Sequence, residues 1–243
     1  MDTIDTQTNY YLDRKEKYWK QLERLFRSSN KILPEYMQTA TVENINEETR
    51  IEFEILLSQL PYIGGEKNIF TFTFVSGAAA LAYIRILEKH SLPVDTIGEL
   101  LNKVYADVFA SLPRFVKWYF RWLEFSPGHK KKLRAFAEES RLYKYPDNWV
   151  MDFIEGEGEK YDFACHYTEC AVLKFFRKME AEEYMPYICV MDLTSSKALR
   201  TGLFRTTTLF YGGDCCDFQF KKNRPSMPGI PIEDLPEYKN RKL

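Results

Sequence analysis

The chain has 243 residues, 45% hydrophobic and 28% charged, enough to bury a core and consistent with one soluble globular domain. A formal net charge of -1 gives no basic footprint, so nucleic acid is not an expected partner. The polar, acidic start Met1-Asp2-Thr3-Ile4-Asp5 lacks the basic and apolar regions of a secretory signal, and the expected location is cytoplasmic.

Thr8 to Arg27 has helical composition, with Tyr11, Tyr18, Trp19, Leu22, Leu25 and Phe26 at mixed three and four spacing. Lys31 to Asn46 contains Pro34 and little periodicity and reads as a connection. Glu47 to Leu60 offers a second amphipathic helix on Ile51, Phe53, Leu56, Leu57 and Leu60, stopped by Pro61 and Gly64-Gly65. The uncharged stretch Asn68 to Tyr83 comes nearest to a membrane span, yet it is shorter than the ~20 apolar residues a spanning helix needs. Phe70, Phe72 and Phe74 alternate like a strand there, but Gly77 and Ala78 to Ala80 favour a buried core helix that another element can approach closely. No membrane partner is expected.

Thr96-x-x-Glu99 reads as the capping box of a helix whose Ile97, Leu100, Leu101, Val104, Val108 and Leu112 follow the 3.6-residue period. After Pro113, the segment Phe115 to Phe125 is crowded with Trp118, Tyr119, Phe120 and Trp122. These rings suit either a planar ligand or ordinary helix core, and the area they would bury favours core. Lys130 to Arg141 continues helically, with Lys130 to Lys132 as a solvated face.

From Pro146 the texture changes. Trp149 to Glu155 and Tyr161 to Tyr167 alternate around Gly156 and Gly158, a β-hairpin. Helices follow over Glu169 to Glu180 and Met185 to Leu199, then a second hairpin, Leu203 to Tyr211 and Cys215 to Lys221, turning at Gly212-Gly213-Asp214. Residues from Asn223 onward hold four prolines and form a tail or a strap. The expected fold is α+β: an N-terminal helical lobe packed on a small antiparallel sheet of two hairpins flanking a helix pair. Residues 1–222 form one domain, mainly helical over 1–145, and 223–243 form the tail.

All five cysteines lie in the last third of a chain without an export signal, so a disulfide framework is not expected. Packing, metal binding and nucleophilic chemistry remain for the thiols. Thr168 as a helix N-cap would put Cys170 in the first turn, where amide groups lower a thiol pKa; a small buried apolar role is the plainer alternative. Cys189 and Asp192, three apart on a helix, share a face and can hold a metal or set a base beside a thiol. Arg205, in a hydrophobic stretch, either pairs with Asp192 or Glu169 or clamps a substrate carboxylate. Thr206 and Thr208 point away from Arg205, and Cys216 points away from Cys215. Cys170, Cys189, Asp192 and Cys216 make one tetrahedral set for zinc, though their spacing matches no standard motif. His166, near Glu169, is a general acid or base or an ordinary hydrogen-bonded histidine. No phosphate loop, nucleophile elbow or His-Glu-x-x-His occurs.

Across these residues the chain resembles the L-2-amino-thiazoline-4-carboxylic acid hydrolase family. The matching blocks include Leu60-Pro61-Tyr62-Ile63-Gly64-Gly65, Tyr145-Pro146-Asp147-Asn148-Trp149, Tyr167-Thr168-Glu169-Cys170, Cys189-x-x-Asp192, Gly202-Leu203-x-Arg205-Thr206-x-Thr208-Leu209 and Gly212-Gly213-x-x-Cys216-Asp217-Phe218. The chain departs at Cys165-His166, where a small residue and an aspartate are expected, at Arg200, where glycine is expected, and at Gln219, where arginine is expected. The resemblance implies hydrolytic opening of a cyclic amidine-like ring to a carbamoyl amino acid. Cys170 would be the nucleophile or its neighbour, Asp192 or Glu169 the base, with Cys189 and Cys216 beside them. Arg205 would clamp the substrate carboxylate, with Thr206, Thr208 and His166 around it. No cofactor is expected, zinc being the one admitted; the partner is a small carboxylate-bearing molecule, and a homo-oligomer is admitted. A distant similarity to four-vinyl-reductase type binding domains supplies the rival reading, a small-molecule sensor with no turnover.

Overall fold

The computed structural model describes residues 10–242, so Met1 to Asp5 and the expected helix start at Thr8 lie outside the described residues. The chain divides into two compact units, one of residues 1–108 and 175–184 and the other of residues 109–174 and 185–243.

The first unit is helical: α1 (Lys15–Ile32), α2 (Thr39–Gln59), α3 (Thr71–Lys89) and most of α4 (Val94–Ala110). α3 is buried along nearly its whole length from Phe74 to Leu87, so the helical reading of this stretch holds and the strand alternation does not. It is the one helix among the described residues long and apolar enough to cross a membrane, yet 72% of that window is buried inside the protein. Its alanines let neighbouring backbones come close, and Arg85 Nη1 reaches Glu52 Oε1 on α2 at 2.7 Å.

Two expectations change here. The supposed connection up to Asn46 contains the first two turns of α2, because Val42 and Ile45 are buried in register with Phe53 and Leu56. Threonine and asparagine are weak helix formers, and burial overrides them. α4 begins at Val94, so Thr96 sits inside its first turn and is not the cap; its expected face, Ile97, Leu100, Leu101 and Val104, is buried.

The second unit carries the sheet. α5 (Arg114–Glu124) and α6 (Pro127–Ser140) precede it, and Ser126 caps α6 by accepting the His129 amide at 3.1 Å. α5 buries none of its residues completely, which corrects the reading of its aromatics as helix core. The strands β1 (Val150–Glu155), β2 (Phe163–Glu169), β3 (Leu203–Phe204) and β4 (Cys216–Phe220) form one antiparallel sheet in the order β1-β2-β4-β3. Between the hairpins run α7 (Ala171–Lys178), within which the chain passes from the second unit to the first, and α8 (Met185–Leu199). The fold is α+β, with the hairpins joined edge to edge through β2 and β4.

The register sorts the side chains. Met151, Phe153 and Glu155 on β1, Phe163, Cys165 and Tyr167 on β2, and Cys216, Phe218 and Phe220 on β4 share one face. Their rings stack, Phe163 on Phe220 at 4.8 Å and Phe153 on Phe163 at 5.9 Å. His166 falls on the opposite face, directly across from Asp152 and Asp217.

The second hairpin is shorter than expected. β3 ends at Phe204 because the Asp217 carboxylate replaces the ladder, accepting from Thr206 N at 2.7 Å, Thr207 N at 2.8 Å and Thr206 Oγ1 at 2.7 Å. Gly202, at φ +65°, is required where it stands, since a Cβ there would lie 2.1 Å from the Lys221 carbonyl oxygen. The proline-rich segment after Asn223 straps this unit: Leu235 is buried with Val190, Leu193 and Leu203, and the short helix α9 (Pro236–Lys239) brings in Glu237, 1% exposed.

Candidate functional site

The site lies within the second unit, where α8, the start of α7, the sheet face of Tyr167 and Cys216, and the strap converge. Cys170 is itself the cap of α7. β2 runs on through Glu169, and the Cys170 sulfur accepts the Leu173 amide at 3.5 Å while its carbonyl accepts the Lys174 amide at 3.0 Å. Thr168, expected in that role, lies in the strand and donates to the Val150 carbonyl at 3.4 Å.

Cys189 and Asp192 face inward from α8 as their spacing predicts. Cys170, Cys216, Asp192 and Arg205 all lie within electrostatic reach of the Cys189 sulfur. Three thiols, one carboxylate and one guanidinium expected from the sequence therefore do assemble. They lie near one another, yet among the described residues no group of three or more His, Cys, Asp or Glu side chains is arranged to hold a metal ion.

Arg205 is 1% exposed and so committed to the protein. Its Nε donates to Glu237 Oε1 at 2.7 Å, its Nη1 to the Cys189 carbonyl at 3.0 Å, and Nη1 stands 3.6 Å from Asp192 Oδ2. The expected pairing with Asp192 is present, but the closer partner is Glu237, and Glu169 pairs with Lys174 instead. A guanidinium so enclosed is held in place by Glu237 and the Cys189 carbonyl. The atoms left without partners, Arg205 Nη2, Glu237 Oε2, Thr208 Oγ1 and Tyr211 Oη, are all shut off from solvent.

Asp192 differs from Arg205. Its side chain is 48% exposed, while burial by the surrounding protein raises its pKa to about 6 against the opposing pull of Arg205. Nearly half of this carboxylate side chain is therefore in contact with solvent. Glu124, at the end of α5, is similar: its side chain is 28% exposed and burial raises its pKa to about 7. Tyr167 has its own pKa pushed well up, first by burial and then by nearby charges that include Asp192 and Glu124.

The thiols run against the expectation of a thiolate at a helix start. Burial raises Cys170 despite the amides of Leu173 and Val172, raises Cys189 strongly despite Arg205, and lifts Cys165 and Cys216 to about 12. Desolvation outweighs the helix terminus, so these thiols are neutral at pH 7.

Several expected site residues lie elsewhere. His166 is on the other sheet face from Tyr167, Glu169 is tied to Lys174, and Thr206 is bound to Asp217. Thr208 is 1% exposed beside a cavity of about 300 Å3 lined also by Tyr211, Cys215 and Glu237. None of Cys170, Cys189, Asp192, Cys216 or Glu124 borders that cavity. Sequence reasoning passed over Glu124, Tyr167 and Glu237. Glu124 was detectable as the lone acid of an aromatic and basic helix; Glu237, in a proline-rich segment, had no sequence signal.

The profile of one protein family, L-2-amino-thiazoline-4-carboxylic acid hydrolase, matches residues 76–220. Neither the curated proteins nor the solved structures compared with the chain contain a significant match. The matched segment is more than half of the chain and carries Glu124, Cys170, Cys189, Asp192, Arg205 and Cys216, and the chain belongs to the L-2-amino-thiazoline-4-carboxylic acid hydrolase family.

Proposed function

We propose that the protein is a hydrolase that opens a small cyclic amidine of the 2-amino-thiazoline-4-carboxylate type to an N-carbamoyl amino acid. Beside family membership, one observation supports this reading: Asp192, raised to about 6, and Glu124, raised to about 7, are both partly exposed carboxyl groups, 48% and 28% accessible, and both act on Tyr167. Near neutral pH the first is ionised and the second about half protonated, the complementary states a base and an acid need.

In the proposed reaction Asp192 takes a proton from water as its oxygen bonds to the ring carbon between sulfur and nitrogen. Asp192 passes that proton to the ring nitrogen. The tetrahedral intermediate then breaks its carbon–sulfur bond as its hydroxyl becomes a carbonyl, Glu124 protonating the leaving sulfur and recovering a proton from that hydroxyl. One water is consumed, a carbon–oxygen bond replaces a carbon–sulfur bond, and the two water protons end on sulfur and on the ring nitrogen. Arg205 acts as a positioning residue, holding the Asp192 carboxylate through Nη1. No cofactor takes part, and the substrate is a small carboxylate-bearing molecule. Cys170 is the alternative nucleophile, and its neutral thiol would then need Asp192 to accept its proton.

A second reading, a small-molecule-binding module without turnover, is favoured by the raised pKa of all five thiols. The deciding experiment incubates the protein with 2-amino-thiazoline-4-carboxylate and titrates new free thiol. Thiol should appear, Asp192→Asn should slow it by roughly 10^2 to 10^4, and Cys170→Ala should leave most of it if water is the nucleophile. Ligand binding with no thiol release by the unmodified protein would establish the binding-module reading instead.

A further inference from the structure

Among the described residues, most of the exposed aromatic side chains belong to α5. Phe115, Trp118, Tyr119 and Trp122 are 73%, 58%, 48% and 53% exposed. Their spacing, i, i+3, i+4 and i+7, puts all four rings on one stripe, along a helix about 16 Å long. Soluble proteins rarely leave such a continuous aromatic patch open without a use for it. The helix is nonetheless anchored from its other side: Val116 and Leu123 are partly buried, and Phe125 meets Phe163 edge to face at 5.8 Å. Tyr119 and Trp122 stack on each other at 6.0 Å, holding the face rigid.

The flanking charge is of one sign. Arg114, Lys117 and Arg121, at i, i+3 and i+7, form a row beside the rings, and Lys131 and Lys132 are exposed at the start of α6. From Arg114 to Arg134 the sequence has seven Lys and Arg against one acid, Glu124, in a chain whose total is -1. Glu124 lies opposite the rings, and the ion-pair partner that it has is His129, at 3.8 Å, rather than a member of the basic row. Contact with a second copy through this face would bring Arg114, Lys117 and Arg121 against their own counterparts, which like-charge repulsion opposes. An anionic partner satisfies both features: rings that seat at the level of lipid headgroups and cations that meet negative charge.

We infer that α5 docks the protein on an anionic lipid bilayer, lying in the plane of the interface with Phe115, Trp118, Tyr119 and Trp122 inserted. This reaches beyond the sequence expectation of no membrane partner, which rested on the absence of an exposed segment long enough to span. A helix that lies on a membrane does not need that length.

The test is flotation of the full chain with vesicles of phosphatidylcholine alone and of phosphatidylcholine with roughly one-third phosphatidylglycerol, which gives the surface a negative potential. The protein should float with the anionic vesicles only, detach in roughly 0.5 M salt, and show a blue-shifted tryptophan emission that brominated lipid quenches. Trp118→Ser/Trp122→Ser should reduce binding at least ~10-fold and Arg114→Gln/Lys131→Gln/Lys132→Gln should abolish the preference for anionic lipid, both with unchanged thermal unfolding because these residues are exposed. Equal or absent flotation with the two vesicle types would overturn the inference. So would concentration-dependent dimerisation abolished by the tryptophan variant, which would make the face a contact between copies, or binding to polyglutamate as tight as to vesicles, which would point to an acidic protein.

Discussion

Asp192 and Glu124 make the site pH-sensitive in a direction that follows from burial. In the folded protein both titrate above their ordinary values of 3.8 and 4.5, at about 6 and about 7. The stability they contribute is therefore complete below about pH 4 and is lost as the pH rises through 6 and 7, where the folded state must ionise them. Glu124→Gln should accordingly raise the denaturation midpoint at pH 8 but not at pH 4, measured by urea unfolding. The rate of thiol release should follow a bell, rising through about pH 6 as Asp192 ionises and falling above about 7 as Glu124 loses its proton; Glu124→Gln should remove the alkaline limb. Arg200 presents a different strain. It follows α8 at φ +58°, and the Thr201 amide bonds back to the Ser196 carbonyl at 3.1 Å, the helix stop that glycine fits best. The family pattern expects glycine there, and the left-handed backbone supplies the reason. Arg200→Gly should stabilise the protein by about 1 kcal/mol in denaturant unfolding.

Elements were legible where one physical cause dominated. α8 runs over the residues that its periodicity predicts, and the first hairpin follows its alternation, because in both cases burial and intrinsic preference agree. The first turns of α2 were hidden because Val42 and Ile45 are buried among weak helix formers, so tertiary packing supplies what local preference lacks. The aromatics of α5 were misread for the opposite reason: hydrophobicity predicts burial only when a partner within the chain exists. The second hairpin was overextended because alternation reveals which residues prefer a sheet, not that one side chain, Asp217, will cap the amides of Thr206 and Thr207. Asp217→Ala leaves those part-buried amides without an acceptor and should cost about 1 to 3 kcal/mol, read as a lower urea midpoint. Asp217→Asn, which keeps one acceptor oxygen, should recover much of that loss.

At the scale of the whole molecule, the site depends on a segment remote in sequence. Glu237 lies beyond the family match and 32 positions from Arg205, yet its carboxylate is the nearest charge to that guanidinium, with both side chains essentially inaccessible to solvent. Cys189 and Asp192 were visible as a pair because they share a helix; this longer contact was not, because nothing local to Asn223–Leu243 distinguishes a strap from a tail. The ion pair also links the strap to the reactivity of Asp192. Arg205, with Nη1 3.6 Å from Asp192, lowers the pKa of that carboxyl, but burial outweighs it and the value stays near 6. Glu237→Gln removes the competing charge but keeps an acceptor for Nε. Two outcomes follow from the same change. Leaving a buried guanidinium without its counter-ion should destabilise the protein by about 3 to 5 kcal/mol. The freed charge should also favour the ionised form of Asp192, moving the acid limb of the pH–rate profile below 6. A variant that loses stability with the acid limb unmoved would show that Arg205 and Glu237 hold the fold without tuning the carboxylate, whereas a shifted limb would tie the C-terminal strap directly to the chemistry.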